Sequence, residues 1–122
     1  MKSLQRYNRI AIVGGPRTGK TTLSKKFEGQ WDVICTDAWK HLPWHLQPVK
    51  ITEACQGSER FVLEGVQAAR VLRRGLEVDL VVFLDAPHVP LSGKQESMTK
   101  GIKTIFSQWR ETNPEIRVVE RS

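Results

Sequence analysis

Several residues in this chain have the types and the spacing to do chemistry on a phosphorylated molecule. The first group lies in Gly14-Gly15-Pro16-Arg17-Thr18-Gly19-Lys20-Thr21, which satisfies the whole pattern G-x-x-x-x-G-K-[ST]. The glycines let backbone amides curl around a phosphate with no Cβ in the way, and a helix opening at the end of the loop adds its positive dipole end. Lys20 is placed to reach the terminal phosphates and act on them, and Thr21 to set its hydroxyl on a Mg²⁺ ion bridging the same phosphates. Gly15, Pro16, Arg17, Thr18, Gly19, Lys20, Thr21 and Thr22 are therefore expected to hold a nucleoside triphosphate, ATP or GTP, together with its Mg²⁺. Arg17 stands in the loop itself and either touches the transferring phosphate or projects into solvent.

Acids at the ends of apolar runs form the second group. Phosphoryl transfer is mostly positioning and charge neutralisation, and a carboxylate is needed to orient or deprotonate an acceptor hydroxyl. Asp37, in Ile34-Cys35-Thr36-Asp37, is the choice for that base, with a helix N-cap as the other reading of the same residue. Glu64 and Asp85 each end an apolar run, and either suits a Mg²⁺ shell, since hard cations favour carboxylate and water oxygens. Trp39, His41, Trp44 and His45 crowd the segment after Asp37. The two indoles either sandwich a planar group or cover the core of a small domain. His41 and His45 have the spacing of a zinc pair, but Pro43 between them disfavours a regular helix and no third ligand is evident. Arg70, Arg73 and Arg74 follow Glu64-Gly65, where one holds an acceptor phosphate or all are solvated helix charges.

The elements that must position these groups alternate. Ile10 to Val13 reads as a strand buried on both faces, followed by the Gly-rich turn and a helix from about Gly19 to Phe27. Trp31 to Cys35, Arg60 to Glu64, Asp79 to Asp85 and Ile116 to Val119 read as further strands. Val66 to Arg74 reads as a helix stopped by Gly75, and about Lys94 to Arg110 as a helix with Met98, Ile102, Ile105 and Trp109 on one stripe. Pro43 and Pro48 interrupt the stretch from Ala38 to Gln56, for which a loop and one helix after Pro48 are expected. Alternating strands and helices imply an α/β architecture with a five-stranded, mainly parallel sheet flanked by helices. Such a sheet binds ligands at the carboxyl ends of its strands, just after Val13, Cys35, Glu64 and Leu84.

The 122 residues suffice for a single domain, 1–122, and no apolar run approaches the roughly 20 residues of a membrane helix. The start, Met1 to Arg6, is too polar for a secretory signal, and Cys35 and Cys55 lack the density of a disulfide framework. A reducing cytoplasm is the simplest setting. A formal charge of +6 suits phosphorylated ligands, but the basic residues are scattered in runs no longer than two, so nucleic acid is not favoured as a partner.

Taken together, the phosphate loop in Ile12 to Thr22, the acid-glycine ending of Phe61-Val62-Leu63-Glu64-Gly65-Val66 and the strand from Val78 to Pro87 with its Asp-Ala-Pro resemble the small P-loop kinases. These enzymes phosphorylate nucleosides, nucleotides and other small hydroxylated or phosphorylated molecules. The likeness runs from about residue 8 to 87. It implies a three-layer P-loop NTPase fold, places Asp37 near the phosphate acceptor, sets Trp39, Trp44 and Arg70 in the acceptor region, and prefers Glu64 over Asp85 beside the phosphate loop. Many adenylate-kinase-like members have glycine where this chain has Arg17. Between Asp85 and the last helix there is no Arg-rich lid, with Lys94, Lys100 and Lys103 as the basic substitutes. Base specificity is expected to be loose or supplied by another subunit. The leading expectation is an ATP/Mg²⁺-dependent small-molecule kinase with a small-molecule acceptor as partner, and oligomerisation stays open. The alternative is a nucleotide-binding regulatory protein with slow or no hydrolysis.

Overall fold

Each apolar run presents side chains alternately to two sides, and both sides have to be covered. The computed structural model, which describes residues 4–121, arranges these runs as β1 (Arg9–Gly14), β2 (Asp32–Cys35), β3 (Phe61–Glu64), β4 (Leu80–Leu84) and β5 (Arg117–Arg121). They form one sheet in the order β2-β3-β1-β4-β5, and every pairing is parallel. Between them lie α1 (Lys20–Ser24), α2 (Gln47–Gln56), α3 (Ala68–Arg73) and α4 (Gly93–Thr112), with short 3-10 turns at Lys25–Phe27 and Thr36–Trp39.

Residue parity sorts the core into two clusters. Ala11, Val13, Phe61, Leu63, Val81 and Phe83 face Ile51 and Cys55 of α2, Val71 and Leu72 of α3, and Ile102, Phe106 and Trp109 of α4. Their neighbours in sequence, Ile10, Ile12, Val62, Leu80 and Val82, face the other way onto Leu23, Phe27 and Trp31. The result is the three-layer P-loop-type α/β fold. α4 is held by an aromatic stack: the Phe83 and Phe106 rings lie 4.6 Å apart, and Phe106 and Trp109 lie 5.7 Å apart.

Two local expectations change. The helix before β3 begins at Gln47, ahead of Pro48, because a proline in the first turn has no hydrogen bond to lose. On α4 the fully buried stripe is Ile102, Phe106 and Trp109, while Met98 is exposed and Ile105 half-buried. The first turns of α4, opened by a capping box between Ser92 and Gln95, lie over the loop that follows β1 and not on the sheet face.

The strand order positions the site. From β1 the chain runs out to β2 and back to β3 on one side, then crosses to β4 and β5 on the other. Such a reversal leaves a crevice at the carboxyl end of the central strand, where Gly14 ends β1. Because the α4 stack joins helix to sheet through Phe106, Phe106→Ala should destabilise the chain by about 3–5 kcal/mol in denaturant unfolding, as buried aromatic truncations do. Met98→Ala should stay within about 0.5 kcal/mol, as expected of an exposed position.

Candidate functional site

The loop after β1 is built from close backbone approaches. Arg17 and Gly19 take the left-handed conformation, at φ 63° and 89°. Thr18 Oγ1 and Lys20 Nζ both donate to the Gly15 carbonyl, at 2.9 and 2.5 Å. A Cβ on Gly15 would stand 2.5 Å from Thr99 Oγ1 of α4, and one on Gly19 would stand 2.9 Å from the His88 ring. The loop is thus covered by α4 and by the β4–α4 connection, whose His88 N–H donates to the Arg17 carbonyl at 2.8 Å. The Arg17 side chain, by contrast, projects into solvent.

Lys20 is buried with acids around it. Burial lowers its pKa from the ordinary lysine value, while Glu64, Asp37 and Cys35 act in the opposite direction. The ends of β1, β2 and β3 therefore bring Lys20, Asp37 and Glu64 into one electrostatic cluster. Glu64 is 2% exposed and stands in register with Ile12 of β1 and Cys35 of β2. The Cys35 thiol is pushed up to about 11, first by burial and then by the Glu64 carboxylate, which favours the protonated thiol. Asp37 is exposed and lies inside the 3-10 turn, not at its cap: Cys35 holds the cap position, and no side chain caps the turn. The capping alternative for Asp37 is therefore set aside.

Gly65 is fixed by what faces it. Its φ is 137°, and a Cβ there would fall 1.9 Å from Thr36 Oγ1. That hydroxyl is buried without a hydrogen-bond partner, an uncommon state for a native side chain. Asp85 lies elsewhere: it is 56% exposed and pairs with Lys103 at 3.0 Å. Trp39 is half-buried against the main core cluster, and His41 and His45 are exposed. Trp44 is 58% exposed, with the Arg70 guanidinium 4.1 Å from the centre of its ring. Thr21 and Thr22 are exposed on the first turn of α1.

A cavity of about 300 Å³ beside the loop went unread in the sequence. Thr18, Thr22, Leu23 and Lys26 line one wall, and Leu84, His88 and Arg121 line the other. The signal available was the position of Leu84 and Arg121 at the carboxyl ends of two strands. A lone histidine between two prolines gave no pattern to follow.

The donor set suits a hard divalent cation that enters with its nucleotide. Thr21 offers a hydroxyl and Glu64 a carboxylate, both oxygen ligands. Among the described residues no group of three His, Cys, Asp or Glu side chains could hold a metal ion by itself, so phosphate and water oxygens would complete the shell. Among the same residues no helix is long and apolar enough to cross a membrane.

No family model and no curated protein sequence matches the chain. Its structure is similar to that of shikimate kinase from Acinetobacter baumannii in complex with shikimate, with a TM-score of 0.57 and 14% identity over 99% of this chain and 87% of that one. At that identity the likeness establishes a P-loop-kinase-like fold. The different surroundings of the two acids generate a direct comparison. Glu64→Gln should weaken Mg²⁺-dependent nucleotide binding measured by calorimetry, whereas Asp85→Asn should leave it within about twofold; a defect confined to Asp85→Asn would reverse the assignment.

Proposed function

We propose that this chain is an ATP/Mg²⁺-dependent phosphotransferase for a small hydroxylated molecule, with GTP as the alternative donor. The observation that carries this reading is the buried Lys20 at the end of the phosphate loop, in the field of Glu64 and Asp37 from two other strands. A cation with carboxylates around it, at the switch point of a parallel sheet, is the charge pattern that phosphoryl transfer uses.

In this reading the amides of residues 15–22 and the Lys20 ammonium bind the triphosphate. The nucleoside enters the cavity beside the loop, with Leu23 and Leu84 giving apolar walls and the flat His88 and Arg121 groups lying against the base. Thr21 and Glu64 would hold Mg²⁺, Glu64 through a water of its shell, and the ion when bound neutralises phosphate charge. Asp37 orients the acceptor hydroxyl and takes its proton as the new O–P bond forms and the bond to the departing nucleoside diphosphate breaks. Trp39, Trp44 and Arg70 belong to the acceptor side.

A specific observation favours a second reading. The β4–α4 connection, residues 85–92, holds no arginine or lysine, so it brings no cation to close over the phosphates. That suits a nucleotide-binding regulatory protein with slow turnover. Screening nucleosides, nucleotides and sugars with labelled ATP separates the two, since only the first yields a phosphorylated acceptor.

Asp37→Asn should leave ATP affinity nearly intact and cut transfer by roughly 10²- to 10⁴-fold, the usual loss of a general base. Normal transfer in that variant would remove Asp37 from the mechanism. Lys20 gives an opposed pair of effects. The folded chain holds the Lys20 proton less tightly than the unfolded chain, so its charge opposes folding at neutral pH, and this opposition fades as pH rises from the lowered folded value toward the ordinary 10.5 and is gone above it. Lys20→Met should therefore raise the thermal midpoint of the nucleotide-free protein at pH 7 while abolishing ATP binding. The Gly15 carbonyl keeps its bond from Thr18. A lowered midpoint would show that the buried charge does not oppose folding.

A further inference from the structure

The amino ends of the strands carry a chemistry unlike that of the phosphate loop. A cavity of about 390 Å³ opens there, beside the C-terminal ends of α3 and α4 and the starts of β1 and β4. That volume falls inside the roughly 300–1,000 Å³ range of small-molecule sites. Its floor is apolar, made by Leu72 of α3, Trp109 of α4, Leu76, Val78 and Ile116, and all but Ile116 are buried. Gly75 makes the room. At φ 111° it follows the end of α3, Leu76 after it enters the main core, and a Cβ on Gly75 would meet nothing within 4 Å. Open space continues past it into a second cavity of about 250 Å³ that shares Arg9, Leu76 and Glu77 with the first.

The rim holds charges of both signs, unevenly neutralised. Arg9 is already engaged by Glu77 and Asp79, at 3.4 Å each. Arg73, on the last turn of α3, donates from Nη1 to the neutral Gln108 Oε1 of α4 at 3.0 Å. Among the described residues it has no carboxylate partner, so the rest of its planar fork is free to receive an anion. Glu115 has no cationic partner among the same residues. It stands just beyond Asn113, the C-cap of α4, whose side chain donates to the Trp109 carbonyl at 2.9 Å. A helix of 20 residues ends there in partial negative charge, which adds to the carboxylate and favours an ammonium. The cavity thus offers an anion-binding group on one helix and a cation-binding end on the other, over a shared apolar floor.

We propose that this cavity is a second ligand site, for a free α-amino acid with a large apolar side chain. Arg73 takes the carboxylate, Glu115 and the end of α4 take the ammonium, and the side chain covers Leu76 and Trp109. One unmatched cation and one unmatched anion are complemented by a zwitterion, whereas a dianion or a diamine would set like charge against one side of the rim. The site lies at the opposite end of β1 from Gly14 and stands whether or not the chain transfers phosphate.

The test is calorimetry on the full chain at low salt, with L-phenylalanine as the probe beside phenethylamine, which lacks the carboxylate, and 3-phenylpropionate, which lacks the ammonium. L-Phenylalanine should bind at least fivefold more tightly than either analogue. Arg73→Gln should reduce it to the level of phenethylamine while leaving phenethylamine unchanged, and Glu115→Gln should reduce it to the level of 3-phenylpropionate while leaving that acid unchanged. Both positions are exposed, so the variants should keep the thermal midpoint of the parent. No binding of L-phenylalanine in the millimolar range, binding no tighter than that of the analogues, or binding indifferent to both substitutions would overturn the proposal. Displacement of the probe by MgATP would overturn it as well, since it would put the ligand at the phosphate loop.

Discussion

Lys20 is a cation taken out of water at the meeting point of three strand ends, and most of the surrounding architecture follows from that placement. An isolated ammonium in such a position would shed its proton, because desolvation acts against the charged form. Glu64 and Asp37 counter this from β3 and β2, and the Gly15 carbonyl accepts a hydrogen bond from the ammonium itself. Those groups converge only because β3 lies between β2 and β1 in a parallel sheet whose carboxyl ends point one way. Among the described residues Lys20 makes no salt bridge with either acid, and its ammonium is held by the Gly15 carbonyl beside the loop amides.

The layers serve this placement unequally. Against one face of the sheet α2, α3 and α4 build a large core, while the other is covered by α1, the 3-10 turn after it and Trp31. The helix that opens directly from the phosphate loop is short and packs through Leu23, with Phe27 of the following turn meeting Trp31 edge-on at 5.0 Å. The long helix does two jobs: its second half anchors the aromatic core, and its first turns press on the loop through Thr99.

What the sequence made legible divides along the range of the interactions. The strand, loop and helix around Gly14 to Thr21 could be read because motif, apolar run and turn chemistry coincide within a few residues. The parallel order and the two-faced strands could be read from alternation. The partners of the acids could not, since the contact of Cys35 with Glu64 and of Thr36 with Gly65 arises from the register of β2 on β3, and nothing local encodes it. The Trp44–Arg70 stack has the same origin, joining the loop before α2 to α3. Met98 lies off the buried stripe because helical periodicity reports which residues share a stripe and not how far the stripe overhangs its sheet. The start of α2 is hidden because a proline interrupts a helix in its interior but is at home in its first turn.

The close approaches at Gly15 and Gly65 have a consequence for how such a sequence can drift. Each glycine is one half of a fixed volume whose other half is a threonine on a different element, Thr99 for Gly15 and Thr36 for Gly65. A larger residue at position 15 is admissible only in a chain where position 99 has already shrunk, so the order of the two changes matters and the reverse order passes through a clashing intermediate. At position 65 even a smaller residue at 36 would not open the way, because the backbone there is left-handed. Descendants of this chain should therefore vary positions 15 and 99 as a pair and leave 65 alone, whatever nucleotide or acceptor they come to use.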